Sequence, residues 1–371
     1  MQKKRLIYVV SGVDKSLGLE WAANELKDLF DLTFILLNPS RSAIEETLET
    51  LKVFCIRIAY RGKNDAPITW LRLCVLFMKL RPEMVHTHLF DATLLGLSAA
   101  WITGVKKRIY TRHNSTFHHV YHPRAVRYDL WSNYLATHII SLSQATDYAL
   151  LQMENVPAGK IRKIPHGIQL EEFRHPAPER VERIRVRWNI KTGRPVIGVI
   201  ARHIEWKGIQ YIIPAFAGFV NKYPEALLIL ANASGPYQPQ LMKMLHALPK
   251  ESYQLIPFEE DVAALYKVFS FYVHTPVDRT CEAFGQTYVE ALAAGVPSIF
   301  TLSGIAAEFV EHGRHAWVVP YRNSDAILQG MLRVFNDSNL KDRMASNGIE
   351  AVSSRFELST MMAGLHQVYN E

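Results

Sequence analysis

Short β-branched runs alternate with helix-spaced stretches along almost the whole chain, and this alternation restricts the fold more than any other feature. In the first half the runs are Leu6–Val10, Leu32–Leu37, Val53–Ile58, Met84–Thr87, Arg108–Tyr110, Ile139–Leu142 and Ile161–Ile164. Helical spacing falls at Ser16–Phe30, Arg41–Leu51, Pro67–Leu80 and Ala92–Thr103, the last with Asp91 as its expected N-cap. After an interruption the runs resume at Val196–Ile200, Leu227–Leu230, Gln254–Ile256, Phe271–His274, Ser298–Phe300 and Trp317–Val319. Strands separated by helices of about ten to fifteen residues are joined by crossovers, so they pair in parallel. The interruption holds Pro176, Pro178, Gly193 and Pro195 among dense charge, with no buried strand. The expected fold class is therefore α/β, with two doubly wound parallel sheets. An N-terminal domain would cover 1–170, a linker 171–195 and a second domain 196–350. A C-terminal helix over 351–371 would pack back on the first domain. Ligands of such sheets bind outside the carboxyl ends of the strands, here expected in a cleft where the two domains face each other.

A length of 371 residues suits two domains at about 150 residues each. No apolar run reaches the roughly 18 residues of a membrane-spanning helix, and Leu6–Val10 is too short for a signal peptide. Cys55, Cys74 and Cys281 make neither a disulfide framework nor a zinc site, which suits a reducing cytoplasm. The first strand–helix turn, Ser11 to Gly18, carries neither Gly-x-Gly-x-x-Gly nor a P-loop, and no later turn does. Dinucleotide oxidoreductases and P-loop enzymes are thereby disfavoured. The net charge of +7 is one-sided: residues 1–170 hold 22 Lys and Arg against 14 Asp and Glu, and the rest hold 20 against 21. Such a field attracts a polyanion, an anionic membrane or an acidic substrate.

Two stretches can carry chemistry. The first runs Cys281-Glu282-Ala283-Phe284-Gly285-Gln286, continues through Glu290, and ends at Gly295-Val296-Pro297. It follows a strand and opens a helix near Gly285, whose first-turn N–H groups would form an anion site. Glu282 and Glu290 would edge one pocket, and a carboxylate can accept from both hydroxyls of a vicinal diol. Taken alone, these two acids read better as a dipole-favoured N-terminal charge and a solvated helical Glu. The second stretch, Arg202-His203-Ile204-Glu205-Trp206-Lys207-Gly208, also follows a strand. A forked Arg, a point-charge Lys and a nearby helix N-terminus describe a pyrophosphate site. Alone, they are two ordinary surface cations.

With these pieces in order, the chain resembles glycosyltransferase family 4, whose members have the two-domain GT-B fold. The resemblance also takes in Glu308 before His312-Gly313, Pro82-Glu83-Met84-Val85-His86-Thr87-His88, Tyr110-Thr111-Arg112-His113-Asn114 and Ile164-Pro165-His166-Gly167-Ile168. It implies that Arg202 and Lys207 hold the diphosphate of a nucleotide-sugar donor. Glu290 would bind the ribose hydroxyls and Glu282 those of the transferred sugar. Backbone N–H groups at Phe284, Gly285 and Gln286 would touch sugar and phosphate, and Ile256-Pro257-Phe258 would sit beside the nucleobase. His113 would contact the donor sugar near the reacting carbon, and Gly12 would let the first loop approach the phosphates. Such enzymes retain anomeric configuration and need no metal; a UDP-sugar is favoured over a GDP-sugar, as a substrate rather than a cofactor. The chain departs from the common pattern in lacking adjacent glycines at Gly12, in carrying His166 and Gln169, and in the glycine-poor loop Ala231-Asn232-Ala233-Ser234-Gly235.

Breaking the bond to a nucleoside diphosphate leaves a developing anion, which preorganised cations and helix N–H groups stabilise. No Asp-x-Asp triplet occurs, in keeping with cations taking the place of a divalent metal. In the front-face scheme the resemblance implies, a phosphate oxygen takes the acceptor's proton. Seven histidines fall within 86–138; His118 and His122 are four apart, but no Glu lies between them and Pro123 follows directly, so they do not make a helical metalloprotease site. Arg112, Lys106, Arg124 and Arg127 lie among them, interleaved with tyrosines, and suit an anionic acceptor such as a lipid-linked diphosphate sugar or a phosphorylated saccharide. The segment Trp70–Leu80 reads better as a helix buried on the sheet than as an interfacial one. No nucleic-acid-binding signature accompanies the basic half. The leading expectation is a cytoplasmic retaining glycosyltransferase of cell-surface glycan or polysaccharide biosynthesis, with peripheral contact on the inner face of the cytoplasmic membrane. A sugar-nucleotide epimerase, a phosphorylase, and a non-catalytic sugar-nucleotide binding module are the alternatives.

Overall fold

The computed structural model describes residues 3–371, which divide into two compact units. Unit 1 runs to Gly167 and takes in Leu358–Glu371; unit 2 is Ile168–Glu357. Unit 1 is built on seven strands: β1 (Arg5–Ser11), β2 (Asp31–Asn38), β3 (Phe54–Ala59), β4 (Met84–His88), β5 (Lys107–Thr111), β6 (His138–Ser141) and β7 (Ile161–Lys163). Their order is β3-β2-β1-β4-β5-β6-β7, and every neighbouring pair is parallel. Unit 2 has β8 (Val196–Ile200), β9 (Leu227–Ala231), β10 (Tyr253–Ile256), β11 (Phe271–His274), β12 (Ser298–Phe300) and β13 (Trp317–Val318), in the parallel order β10-β9-β8-β11-β12-β13.

The apolar runs form these strands because helices cover both sheet faces, so inner strands bury both sets of side chains. Strand β8, Val-Ile-Gly-Val-Ile, is wholly buried. In unit 1 the chain steps from β3 to β4, β5 and β6 in one direction across the sheet. Right-handed crossovers therefore put the helices Ala66–Leu80, Phe90–Ile102 and Val126–Leu135 on one face. Leu73, Phe77, Leu95 and Ala99 from the first two pack on Val9, Ile35 and Val85 of the sheet. A fully buried Leu or Phe of this kind contributes about 1.5–3 kcal/mol. In unit 2 the helices Ile209–Lys222 and Ser324–Asn336 supply the matching core through Phe216, Phe219, Ile327 and Met331.

Each sheet reverses its strand order once, between β1 and β4 in unit 1 and between β8 and β11 in unit 2. The turns after those strands are where ligands of open parallel sheets bind.

Three details differ from the sequence reading. Asp91 is not the N-cap of its helix. Strand β4 extends to His88, the chain turns through Leu89 at φ +70°, and the helix opens at Phe90 with Asp91 inside its first turn. Residues 171–195 are not a linker. They hold all but the first residue of the helix Leu170–Arg174 and the whole of Pro178–Arg187, both part of unit 2. Pro178 begins a helix there because its missing N–H is no loss at the first turn. Phe173 and Ile184 are buried, while Arg180 pairs with Asp261 at 2.6 Å and Arg187 with Glu259 at 3.1 Å. The dense charge belongs to an amphipathic helix tied down by ion pairs. Residues 351–357 stay with unit 2, and the helix that belongs to unit 1 is Leu358–Asn370.

Candidate functional site

In unit 2 the site grows from the turns after β8, β11 and β12. Beyond β8 the chain runs through Arg202 into a tight turn, Glu205–Lys207, and then Gly208 at φ +74°, which starts the helix Ile209–Lys222. A side chain at Gly208 would put its Cβ 1.8 Å from the Thr275 carbonyl oxygen, so glycine lets the Lys207 turn lie directly against the end of β11. Lys207 Nζ then reaches Glu282 Oε1 at 2.6 Å, and His274 Nε2, at the end of β11, lies 3.3 Å from the same oxygen. Burial alone would raise the Glu282 carboxyl. The Lys207 ammonium and the His274 ring overcome burial and hold it well below the usual carboxylate range. Glu282 is therefore an anion at neutral pH with a fixed direction.

The Glu282 backbone is fixed from the turn after β12. Its N–H donates to Ser303 Oγ at 3.2 Å, and Ile305 N–H donates to the Phe284 carbonyl at 2.9 Å. Gly304, at φ +55°, is in close approach: a Cβ there would lie 2.6 Å from the Phe284 oxygen. Gly285, at φ +83°, caps the helix Gln286–Ala293. On that helix Glu290 is buried, accepting from Tyr266 Oη at 3.1 Å and from Gln286 Nε2 at 2.8 Å. Burial raises its carboxyl above the ordinary value, against those two donors. The two acids thus differ: Glu282 is locked to a cation, and Glu290 is held by neutral donors. Cys281 is no nucleophile, since burial and the Glu282 and Asp278 charges push its thiol up to about 12.

Arg202 is exposed, and among the described residues no carboxylate pairs with it. The Ile256 side chain lies in the core and its carbonyl accepts from Ala233 N–H at 3.1 Å, whereas Pro257 and Phe258 are exposed. The Phe284 side chain is buried, so it does not itself face a ligand.

Unit 1 holds a column of histidines of its own. His86 and His88 alternate along β4, so both rings stand on one sheet face. His86 bonds Thr111 Oγ1 at 2.9 Å and Tyr369 Oη at 2.7 Å, which places the helix Leu358–Asn370 under the sheet. His88 Nδ1 meets His113 Nε2 at 3.2 Å, and His113 stacks on His166 with centroids 5.6 Å apart. Gly12, exposed at φ +62°, follows β1 with open space where a Cβ would stand.

Burial holds His86 down at about 3 and His166 at about 4; burial and neighbouring rings hold His88 and His113 well below 6.5. All four rings are neutral near pH 7. In the unfolded chain they titrate near 6.5, so as pH falls the unfolded state binds more protons than the folded one. Their stabilising contribution is complete above about pH 6.5 and is lost on the way down toward about pH 3. The melting midpoint should therefore fall across that window, and His166→Asn should flatten the fall. An unchanged acid slope in the variant rejects this reading.

Of the acceptor-side cations expected from sequence, Arg112 does not qualify. It is 2% exposed, with Nη1 3.2 Å from Asp129 and Nη2 2.5 Å from Glu154. Strand β5 ends at Thr111, and its next residue turns into the protein beneath the helix Val126–Leu135, which supplies Asp129. Lys106, Arg124 and Arg127 are exposed. His274, Ser303 and Tyr266 were not foreseen as site residues. A polar residue closing an otherwise apolar strand, as His274 closes β11, is the signal that marks such a position.

Two doubly wound parallel-sheet units, with a cation–carboxylate pair at the switch point of the second, are the architecture of the GT-B class. The model for Glycosyltransferase Family 4 matches residues 22–172, and that for Glycosyl transferases group 1 matches residues 180–351. The chain belongs to glycosyltransferase family 4. It is similar to the capsular polysaccharide biosynthesis glycosyltransferase CapM of Staphylococcus aureus, 26% identical over 81% of this chain and 80% of that one. A GDP-mannose-dependent alpha-(1-6)-phosphatidylinositol monomannoside mannosyltransferase of Mycobacterium tuberculosis is 28% identical over 56% of this chain and 55% of its own. Among solved structures, Anabaena Alr3699/HepE in complex with UDP and glucose superposes with a TM-score of 0.86 at 20% identity, covering 99% of both chains. No helix among the described residues is long and apolar enough to cross a membrane.

Proposed function

We propose that the chain transfers a sugar, with retention of configuration and without a metal, from a nucleoside-diphosphate donor to an anionic or lipid-linked saccharide. We place it peripherally at the inner face of the cytoplasmic membrane. The observation that carries the reading is the Lys207–Glu282 pair seated against His274, with Arg202 exposed on the same loop. Arg202 and Lys207 bring fixed positive charge to a departing diphosphate, where charge develops most in the transition state. The first-turn N–H groups of the helix after Gly285 add to it. Glu282, kept ionised, accepts from hydroxyls of the transferred sugar. Glu290 retains lone pairs beyond those used by Tyr266 and Gln286 and takes the ribose. Exposed Phe258 offers a face to the base, and neutral His113 can donate to or accept from the sugar.

CapM supports a polysaccharide acceptor, the mycobacterial relative a lipid-linked one, and HepE a uridine nucleotide over the guanosine one that the mycobacterial name carries. The exposed cations Lys106, Arg124 and Arg127 support an anionic acceptor. The test is nucleotide-dependent thermal stabilisation. UDP should raise the melting midpoint, by the equivalent of about 2.7 kcal/mol at a hundredfold excess over Kd, and GDP less. Glu290→Ala should lose most of that shift while slowing bond cleavage less. An unchanged UDP shift in the variant rejects the ribose role, and loss of transfer on adding a chelator rejects the metal-free scheme.

A further inference from the structure

The helix Ala66–Leu80 is not simply a core helix. Thr69, Leu73, Cys74 and Phe77 face the sheet, but the opposite stripe is also apolar: Ile68, Leu71, Val75 and Met78 are each at least half exposed. A soluble helix normally gives that stripe to polar residues. Here only Arg72 and Lys79 edge it. The neighbouring helix Phe90–Ile102 exposes Trp101 at its end. The next, Val126–Leu135, turns Leu130, Trp131 and Tyr134 outward at helical spacing, with Trp131 stacked on Tyr134 and Arg127 on the same stripe. These three helices lie side by side on one sheet face, so the stripes form one surface.

That surface has no exposed acid. The three helices contain two carboxylates: Asp91 is partly buried against the Tyr60 hydroxyl, and Asp129 is buried on Arg112. Apolar side chains, two tryptophans and a tyrosine, and cations without anions are the composition of an interfacial surface on anionic lipid. A protein partner would call for a more specific pattern of polar groups, and cations along the stripes oppose self-association through this face. We infer that the outer face of these three helices docks unit 1 on an anionic bilayer. Aliphatic groups enter the headgroup boundary, the aromatic rings sit at its level, and Arg72, Lys79 and Arg127 bind lipid phosphates. The inference rests on the membrane contact proposed above and names the surface that makes it; it holds whichever saccharide is the acceptor.

Sedimentation of the full chain with vesicles tests it. The parent should bind phosphatidylcholine vesicles containing about one-third phosphatidylglycerol, should bind less as salt rises, and should leave phosphatidylcholine alone in solution. Leu71→Glu with Val75→Glu should weaken binding about tenfold or more, leaving the melting midpoint and the UDP shift unchanged. Trp131→Ser, on a different helix, should weaken it in the same direction. Variants that bind anionic vesicles as the parent does would assign the contact to another face. A parent that binds no vesicle would remove the membrane contact itself. Equal binding to neutral lipid would reject an anionic surface. A parent dimer that the double variant turns into monomer would make a second copy the occupant.

Discussion

Lys207→Ala is expected to cleave its donor about a hundred- to a thousandfold more slowly than the parent while remaining folded, the loss usual for a preorganised charge aimed at a developing anion. The side chain does two things at once. Its ammonium is the cation nearest Glu282, and it sits on the turn that Gly208 allows to lie against Thr275. Removing it takes positive charge from the leaving diphosphate. It also leaves Glu282 buried beside a neutral-leaning His274, so the Glu282 carboxyl rises toward its ordinary range. A group whose folded pKa is depressed stabilises above its unfolded value, here 4.5, and loses that contribution as pH falls through the folded value. The variant should accordingly gain an acid limb in its rate profile at a higher pH than the parent. Lys207→Arg keeps the charge but replaces a compact ammonium with a planar fork, and should recover only part of the rate. Release of nucleoside diphosphate from the donor, followed against pH, measures all three enzymes. Parental rates in Lys207→Ala would remove the diphosphate assignment.

Strand placement was legible because buried parallel strands read as uninterrupted apolar runs. Val196–Ile200, Phe271–His274 and Ser298–Phe300 have the expected limits, and the remaining strands differ by a single residue at one or both ends. Pro178 and the charges around it misled because proline breaks a helix from inside but begins one at the first turn, and composition does not distinguish the two. At the site, the spacing from Arg202 to Lys207 and from Glu282 to Glu290 marked residues on the right turns. It could not show that Lys207 and Glu282, 75 positions apart, form one ion pair, because that contact depends on how β8 and β11 are ordered in the sheet. The outward stripe of Ala66–Leu80 was hidden for the opposite reason. A helix apolar on both sides reads as buried, and only the exposure of Leu71 and Val75 distinguishes a covered face from an uncovered one.

The same limit explains Arg112, and it carries the second large expected effect. From sequence it is one cation in a basic, tyrosine-rich segment; in the fold it is the centre of a buried network. Glu154 accepts from Arg112, from Asn133 at 2.6 Å and from His119 at 3.0 Å, while Asp129 is shared between Arg112 and His118. Tyr110 Oη donates to Asn133, tying the network to β5. Arg112→Ala would leave two buried carboxylates facing each other without the guanidinium between them. Breaking a buried ion pair from one side costs about 3–5 kcal/mol. That is a large part of the 5–15 kcal/mol or so that holds an ordinary domain together. Unit 1 should unfold many degrees earlier, and expression should fall with it. Arg124→Ala, on the exposed turn nearby, should change the midpoint by no more than about 0.5 kcal/mol equivalent. Arg112→Lys should rescue little, since one ammonium cannot bridge Asp129 and Glu154 as a fork does. Calorimetry of the three variants decides between the roles: a normal midpoint in Arg112→Ala together with weakened binding of an anionic acceptor would return Arg112 to the acceptor side, whereas early unfolding assigns it to the frame that holds β5 and its following turn, and with them His113, in place.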